Sequence, residues 1–133
     1  MKTADIEGIG AANAAKLARA GIRSIEALLK KGATPAGRKE LAEMSGIGDA
    51  LILEWVNLAD LFRIKGVGSE YSDLLEEAGV DTVVELAKRV PENLWAKMGE
   101  VNQAKNLVNK MPSAKQVENW VTQAKKLSRV VTY

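Results

Sequence analysis

Apolar residues recur along this chain at intervals of three and four, and short glycine-bearing turns separate the runs. The clearest case runs from Ile64 to Val80. Ile64-Lys65-Gly66-Val67-Gly68 predicts a tight turn, Tyr71, Leu74, Leu75 and Ala78 share one helix face, and Gly79 stops the helix. The same plan stands 58 positions earlier, where Ile6, Gly8, Gly10, Leu17, Ala20 and Gly21 are identical to Ile64, Gly66, Gly68, Leu75, Ala78 and Gly79. A constant offset without a gap points to internal duplication.

The rest of the pattern is helical too. An alanine-rich helix over 11–20 leads to Gly21, a position suited to a left-handed cap, and Ser24 caps a helix facing Ile25, Leu28 and Leu29 inward. Thr34-Pro35 opens a third helix with a cap and a first-turn proline, running to about Met44. The helix from Asp49 to about Phe62 carries Leu51, Ile52, Trp55, Val56, Leu58, Ala59 and Phe62, leaving a polar stripe at Glu54, Asn57 and Asp60. Such a segment is expected to be buried on most sides and to join two halves. Thr82 to Glu85 predicts a capping box. Val90-Pro91 starts a helix with Leu94, Trp95 and Met98, and a further helix is marked by Ala104, Leu107, Val108 and Met111. Ser113 to Gln116 predicts another capping box, before a last helix to about Val130 with Val117, Trp120, Val121, Ala124 and Leu127 inward. No strand pattern appears, so the predicted class is all-α, packed as one compact unit of two related repeats.

Composition removes several chemistries. With no cysteine and no histidine, the chain has no disulfide, thiolate nucleophile, imidazole base or ordinary zinc site, and carboxylates are the remaining metal ligands. The carboxylates are scattered without a repeated pair at ligand spacing, so no metal, no cofactor and no catalytic residue is expected. A buried lysine nucleophile is the exception that sequence leaves open. The first turn follows Met1–Asp5 directly, and the longest apolar segment is interrupted by Glu54, Asn57 and Asp60, so a cytoplasmic protein without a membrane partner is expected. The net charge of +2 is uneven: residues 1–96 carry 12 Lys/Arg against 15 Asp/Glu, and residues 97–133 carry 7 against 2. A basic end on a near-neutral body hints at an acidic partner, while lysines 105, 110, 115, 125 and 126 with Arg129 also fit a solvated surface.

An apolar residue between two glycines before a helix has a physical logic. Glycine allows close backbone approach, the middle side chain plugs the core, and the first amides of the next helix face outward, where they suit an anion. Ile6–Gly10, Met44–Gly48 and Ile64–Gly68 resemble the turn of the helix-hairpin-helix family. Ala20 to Leu29 also resembles the related C-terminal domain of the RNA polymerase alpha subunit, and nearly the whole chain, counting a decayed fourth hairpin, is similar to a bacterial family of tandem helix-hairpin-helix proteins of unknown function. The resemblance implies two repeats, 1–62 with hairpins at 6–10 and 44–48, and 63–133 with a hairpin at 64–68 and a decayed one near 99–102, where Glu100 and Asn102 replace the glycines.

In that family the hairpin amides grip a DNA phosphate without reading sequence. The resemblance therefore implies nucleic-acid binding by Gly8, Ile9, Gly10, Ala11 and Lys16, and by Lys65, Gly66, Val67, Gly68 and Ser69. The first hairpin is the best anion site, with no acid after it and Lys16 and Arg19 further along. The second ranks below it because Glu70 and Asp73 follow. The third runs into Asp49 and is expected to be structural. Double-stranded DNA, bound non-specifically, is the expected partner. The alternative is a protein–protein interaction module in which the hairpins only turn the chain. The sequence sets no oligomeric state.

Overall fold

The structure, a computed structural model, describes residues 1–6 and 8–133. Glu7, inside the first predicted hairpin, lies outside the described residues. Among the described residues the fold is all-α, with eight α-helices and a 3-10 turn at Thr3–Asp5, and no strand beyond an isolated bridge between Lys2 and Ser24. The chain divides into two compact units, residues 1–60 with 130–133, and residues 61–129.

In the first unit, α1 (Gly10–Arg19) is built from alanine, the best helix former, and buries Leu17. It ends in a Schellman motif: Gly21 is left-handed at φ 88°, Ile22 donates to the Leu17 carbonyl at 2.8 Å, and Gly21 donates to that of Ala18 at 3.0 Å. Ser24 accepts from the Ala27 amide and starts α2 (Ile25–Gly32). Gly32 ends α2 where only glycine fits, because a β-carbon there would lie 2.3 Å from Val56 Cγ2. Thr34 caps α3 (Pro35–Ser45), which packs on α1 and α2. Helix α4 (Asp49–Leu61) buries Ile52, Trp55, Val56, Leu58 and Ala59, but Leu51 is 45% exposed. Asp60, predicted on the polar stripe, is buried and partnered.

Residues 130–133 close this unit. Thr132 donates to the Ala33 carbonyl at 2.8 Å, and Tyr133 donates to Asn57 Oδ1 at 3.2 Å. Arg38, only 7% exposed, holds both sides of the closure by donating to the carbonyls of Gly32 and Thr132, each at 2.8 Å. A buried guanidinium needs such acceptors, since leaving one unpaired costs several kcal/mol, on the order of 3–5.

The second unit has its own core, from Leu61 and Ile64 through Leu74, Leu75, Leu86, Leu94 and Met98 to Val117, Trp120 and Val121. Helix α5 (Ser69–Glu77) ends in the same Schellman motif as α1, with Gly79 at φ 95° and the Val80 amide on the Leu75 carbonyl at 2.9 Å. At α6 (Val83–Ala87) the predicted capping box is replaced by a side-chain bond, Thr82 Oγ1 donating to Glu85 Oε2 at 2.6 Å.

Helix α7 (Pro91–Lys105) runs straight through 99–102, so this stretch is helix rather than a turn. Glu100, Val101 and Asn102 simply extend the helical register where a turn would need glycines. The helix predicted through Ala104, Leu107, Val108 and Met111 is likewise not formed. Asn106 turns left-handed at φ 51°, and the Asn102 carboxamide bonds both backbone groups of Val108, so 106–113 becomes an ordered connection. Helix α8 (Ala114–Lys125) starts with the predicted Ser113–Gln116 capping box and packs on α6 and α7. It ends earlier than predicted, and Leu127 is 37% exposed.

Candidate nucleic-acid interface

The three glycine turns share a plug and differ in their amides. Ile9, Ile47 and Val67 are each buried, and Ile9 and Val67 each donate back to the carbonyl three residues earlier, on Ile6 and Ile64. The apolar residue between glycines therefore points into the core, and its amide is already committed. Ile9 and Val67, predicted among the binding residues, serve the turn itself.

Around the first turn, Gly8, Gly10, Ala11 and Ala12 are exposed. Gly8 and Gly10 have φ of 87° and 74°, with no heavy atom within 4 Å of a β-carbon built on either. Helix α1 has no acidic residue in its first turn, and among the described residues no side chain caps it and none accepts from the amides of Gly10, Ala11 or Ala12. Asn13, whose side-chain amide donates to the Ile9 carbonyl at 3.0 Å, holds the entry to the helix. Lys16 and Arg19 are exposed but sit in the last turn, so Lys16 starts about 9 Å along the axis from Gly10. Only a long side chain reaches back over that rise.

The second turn is more tightly held. Gln123 on α8 clamps the Lys65 peptide, accepting from its amide at 2.9 Å and donating to its carbonyl at 3.0 Å. Gly66 has φ 96°, and a β-carbon there would lie 3.0 Å from Trp120 Nε1. Gly68 is extended at φ −107° and acts as the cap residue of α5, with Glu70 in the first turn. Ser69 is bonded through its carbonyl to the Ser72 hydroxyl at 2.9 Å. The Lys65 side chain remains exposed.

In the third turn two amides are consumed locally, and an acid follows. Ser45 Oγ accepts from Ile47, Gly46 donates to the Ala42 carbonyl, and Asp49 stands in the first turn of α4. A carboxylate at that end takes the place an anion would need.

Two features were not read from the sequence. On α5, Asp73, Glu76 and Glu77 bring carboxylate oxygens within 4.8 Å of one another at i, i+3 and i+4 spacing, a signal available in the sequence. Lys105 pairs with Glu77, and that hydrogen bond together with the surrounding negative charge pushes the ammonium above its usual value. The second feature is the surface of α8 beside the second turn, where Lys65, Gly66, Ser113, Lys115, Gln116, Asn119 and Trp120 line an open cleft of about 370 Å³. Of the predicted residues, this cleft brings together Lys65 and Gly66. The basic residues after 97 do not act as one group: Lys105 is paired with Glu77, Lys115 lines this cleft, and Lys125 lines another with Glu92 and Glu118.

The arrangement is that of an all-helical protein whose helices are joined by glycine turns. The chain matches, over residues 7–127, the family described as Domain of unknown function (DUF4332), and it belongs to that family. No curated protein and no solved structure matches it. Among the described residues no helix is long and apolar enough to cross a membrane.

Proposed function

We propose that this protein binds the phosphate backbone of double-stranded DNA without reading sequence, as a cytoplasmic, non-catalytic tandem helix-hairpin-helix protein. The observation that carries the reading is the start of α1: exposed at Gly10–Ala12, uncapped by any side chain among the described residues, and free of acid in its first turn. Amides in that position together with the helix dipole attract a phosphate. Lys16 and Arg19 supply charge on the same helix, and Lys65 supplies it at the second hairpin.

Duplex DNA titrated at low salt tests this. Binding is expected to weaken with salt at a log–log slope of roughly −0.9 per phosphate neutralised, with few phosphates involved. The pair Lys16→Gln and Arg19→Gln should weaken binding equally on unrelated sequences and flatten the slope by about one per lost contact. Binding without salt dependence, or none at low salt, defeats the proposal.

A protein-interaction module is the second reading. It is favoured by Val90 and Trp95, 57% and 41% exposed at the start of α7. A protein partner that co-purifies after nuclease treatment would select it.

A further inference from the structure

The cleft on α8 has the character of a binding site that the first hairpin does not explain. Trp120 is only 2% exposed and lies against Tyr71, the two rings tilted at 49° with centroids 5.3 Å apart. Tyr71 is itself held by donation to the Lys110 carbonyl at 3.0 Å, so the indole has little freedom to turn. Its N–H meets no acceptor among the described residues. No side-chain nitrogen or oxygen there is both sealed from solvent and without a partner, so the indole N–H keeps its opening, and the cleft is where Trp120 meets solvent. The missing side chain of Gly66 makes room for it, a β-carbon there falling 3.0 Å from Nε1.

The other groups around the cleft are also donors. The capping box uses the Gln116 amide and leaves those of Ala114 and Lys115 in the first turn of α8, which carries no acidic residue. The carboxamide oxygens are spent, Gln116 Oε1 on the Ser113 amide and Asn119 Oδ1 on Gln123. Lys65 and Lys115 have no ion-pair partner among the described residues. The cleft therefore offers two ammonium groups and several N–H donors with its side-chain acceptors already occupied. A tetrahedral oxyanion with two negative charges complements that surface.

We propose that this cleft is an anion site for a phosphate group, bound by Lys65, Lys115, the first amides of α8 and the Trp120 indole N–H. The site shares Lys65 with the DNA reading but does not rest on it, since it needs neither the first hairpin nor a duplex. Inorganic phosphate titrated into the ¹⁵N-labelled full chain, against sodium chloride at matched ionic strength, tests it. The Trp120 indole cross-peak, identified by its loss in Trp120→Phe, should move saturably with phosphate and stay still with chloride. Lys65→Gln and Lys115→Gln, both at exposed positions that leave the core intact, should each weaken binding about tenfold. Equal shifts with chloride, an indole that does not move, or lysine variants with unchanged affinity would overturn the proposal. A parallel titration with duplex DNA separates sources. Movement of the same indole assigns the site to a phosphodiester backbone, and movement with inorganic phosphate alone assigns it to a free phosphate.

Discussion

The turns at 6–10 and 64–68 share three identical residues at one offset, yet they are held differently. Both carry a buried plug, and both lead through a helix to a Schellman motif with matching hydrogen bonds. They diverge at the second glycine. Gly10 is left-handed and already inside α1, whereas Gly68 is extended and caps α5 from outside. They diverge again in their surroundings, since the second turn is clamped by Gln123 and backed by Trp120. Identical residues therefore give one turn left open at its helix start and one locked against a neighbouring helix. The lesson is that the glycine pattern specifies the turn, while the neighbouring helix decides what its amides and charges are available for.

The largest expected effect comes from the first glycine of each turn. Gly8→Ala meets only the backbone cost of a left-handed alanine, about 1–2 kcal/mol. Gly66→Ala adds contact with Trp120 and should cost more, up to about 3 kcal/mol. Chemical denaturation of the two variants measures the gap, and equal losses would mean that Trp120 yields freely.

A smaller effect is expected at Gln123. Gln123→Ala removes two hydrogen bonds to the Lys65 peptide and should cost about 1 kcal/mol, because both groups regain water. Amide exchange at Lys65 should accelerate while exchange in the first turn stays unchanged.

The smallest effect concerns Asp81, just before α6. Asp81 is exposed, so its desolvation is partial; that desolvation first, and repulsion from Glu85 second, hold its carboxyl above the usual range. A raised carboxyl favours the protonated folded form, so its contribution to stability is present at acid pH and lost as pH rises through the folded value. Asp81→Asn should raise stability at pH 7 by at most about 0.5 kcal/mol, with the gain disappearing below the carboxylate range. Melting curves across that range check the sign.

Much of the helical plan was legible because its signals are local. Ser24, Thr34 and Ser113 cap the helices they were expected to cap, and Trp55 and Trp120 lie in cores as their spacing required. What the sequence hid was set by distant partners. The ordered connection at 106–113 depends on Asn102 finding Val108, and the exposure of Leu51 depends on which helices cover α4. The cleft was hidden for the same reason. Periodicity placed Trp120 inside but could not show that its nitrogen meets Gly66, 54 positions away, at the surface. Arg38 gave no signal, being one charge on a polar helix, and its burial rests on two carbonyls, that of Gly32 nearby and that of Thr132 from 94 positions away.

That return makes the first unit discontinuous, with the whole of the second inserted between residues 60 and 130. Synthesis usually lets the leading part of a chain settle first. Here residues 1–60 do not close on themselves: the unit is completed when residues 130–133 return to it, and that return brings the Arg38 guanidinium its second acceptor.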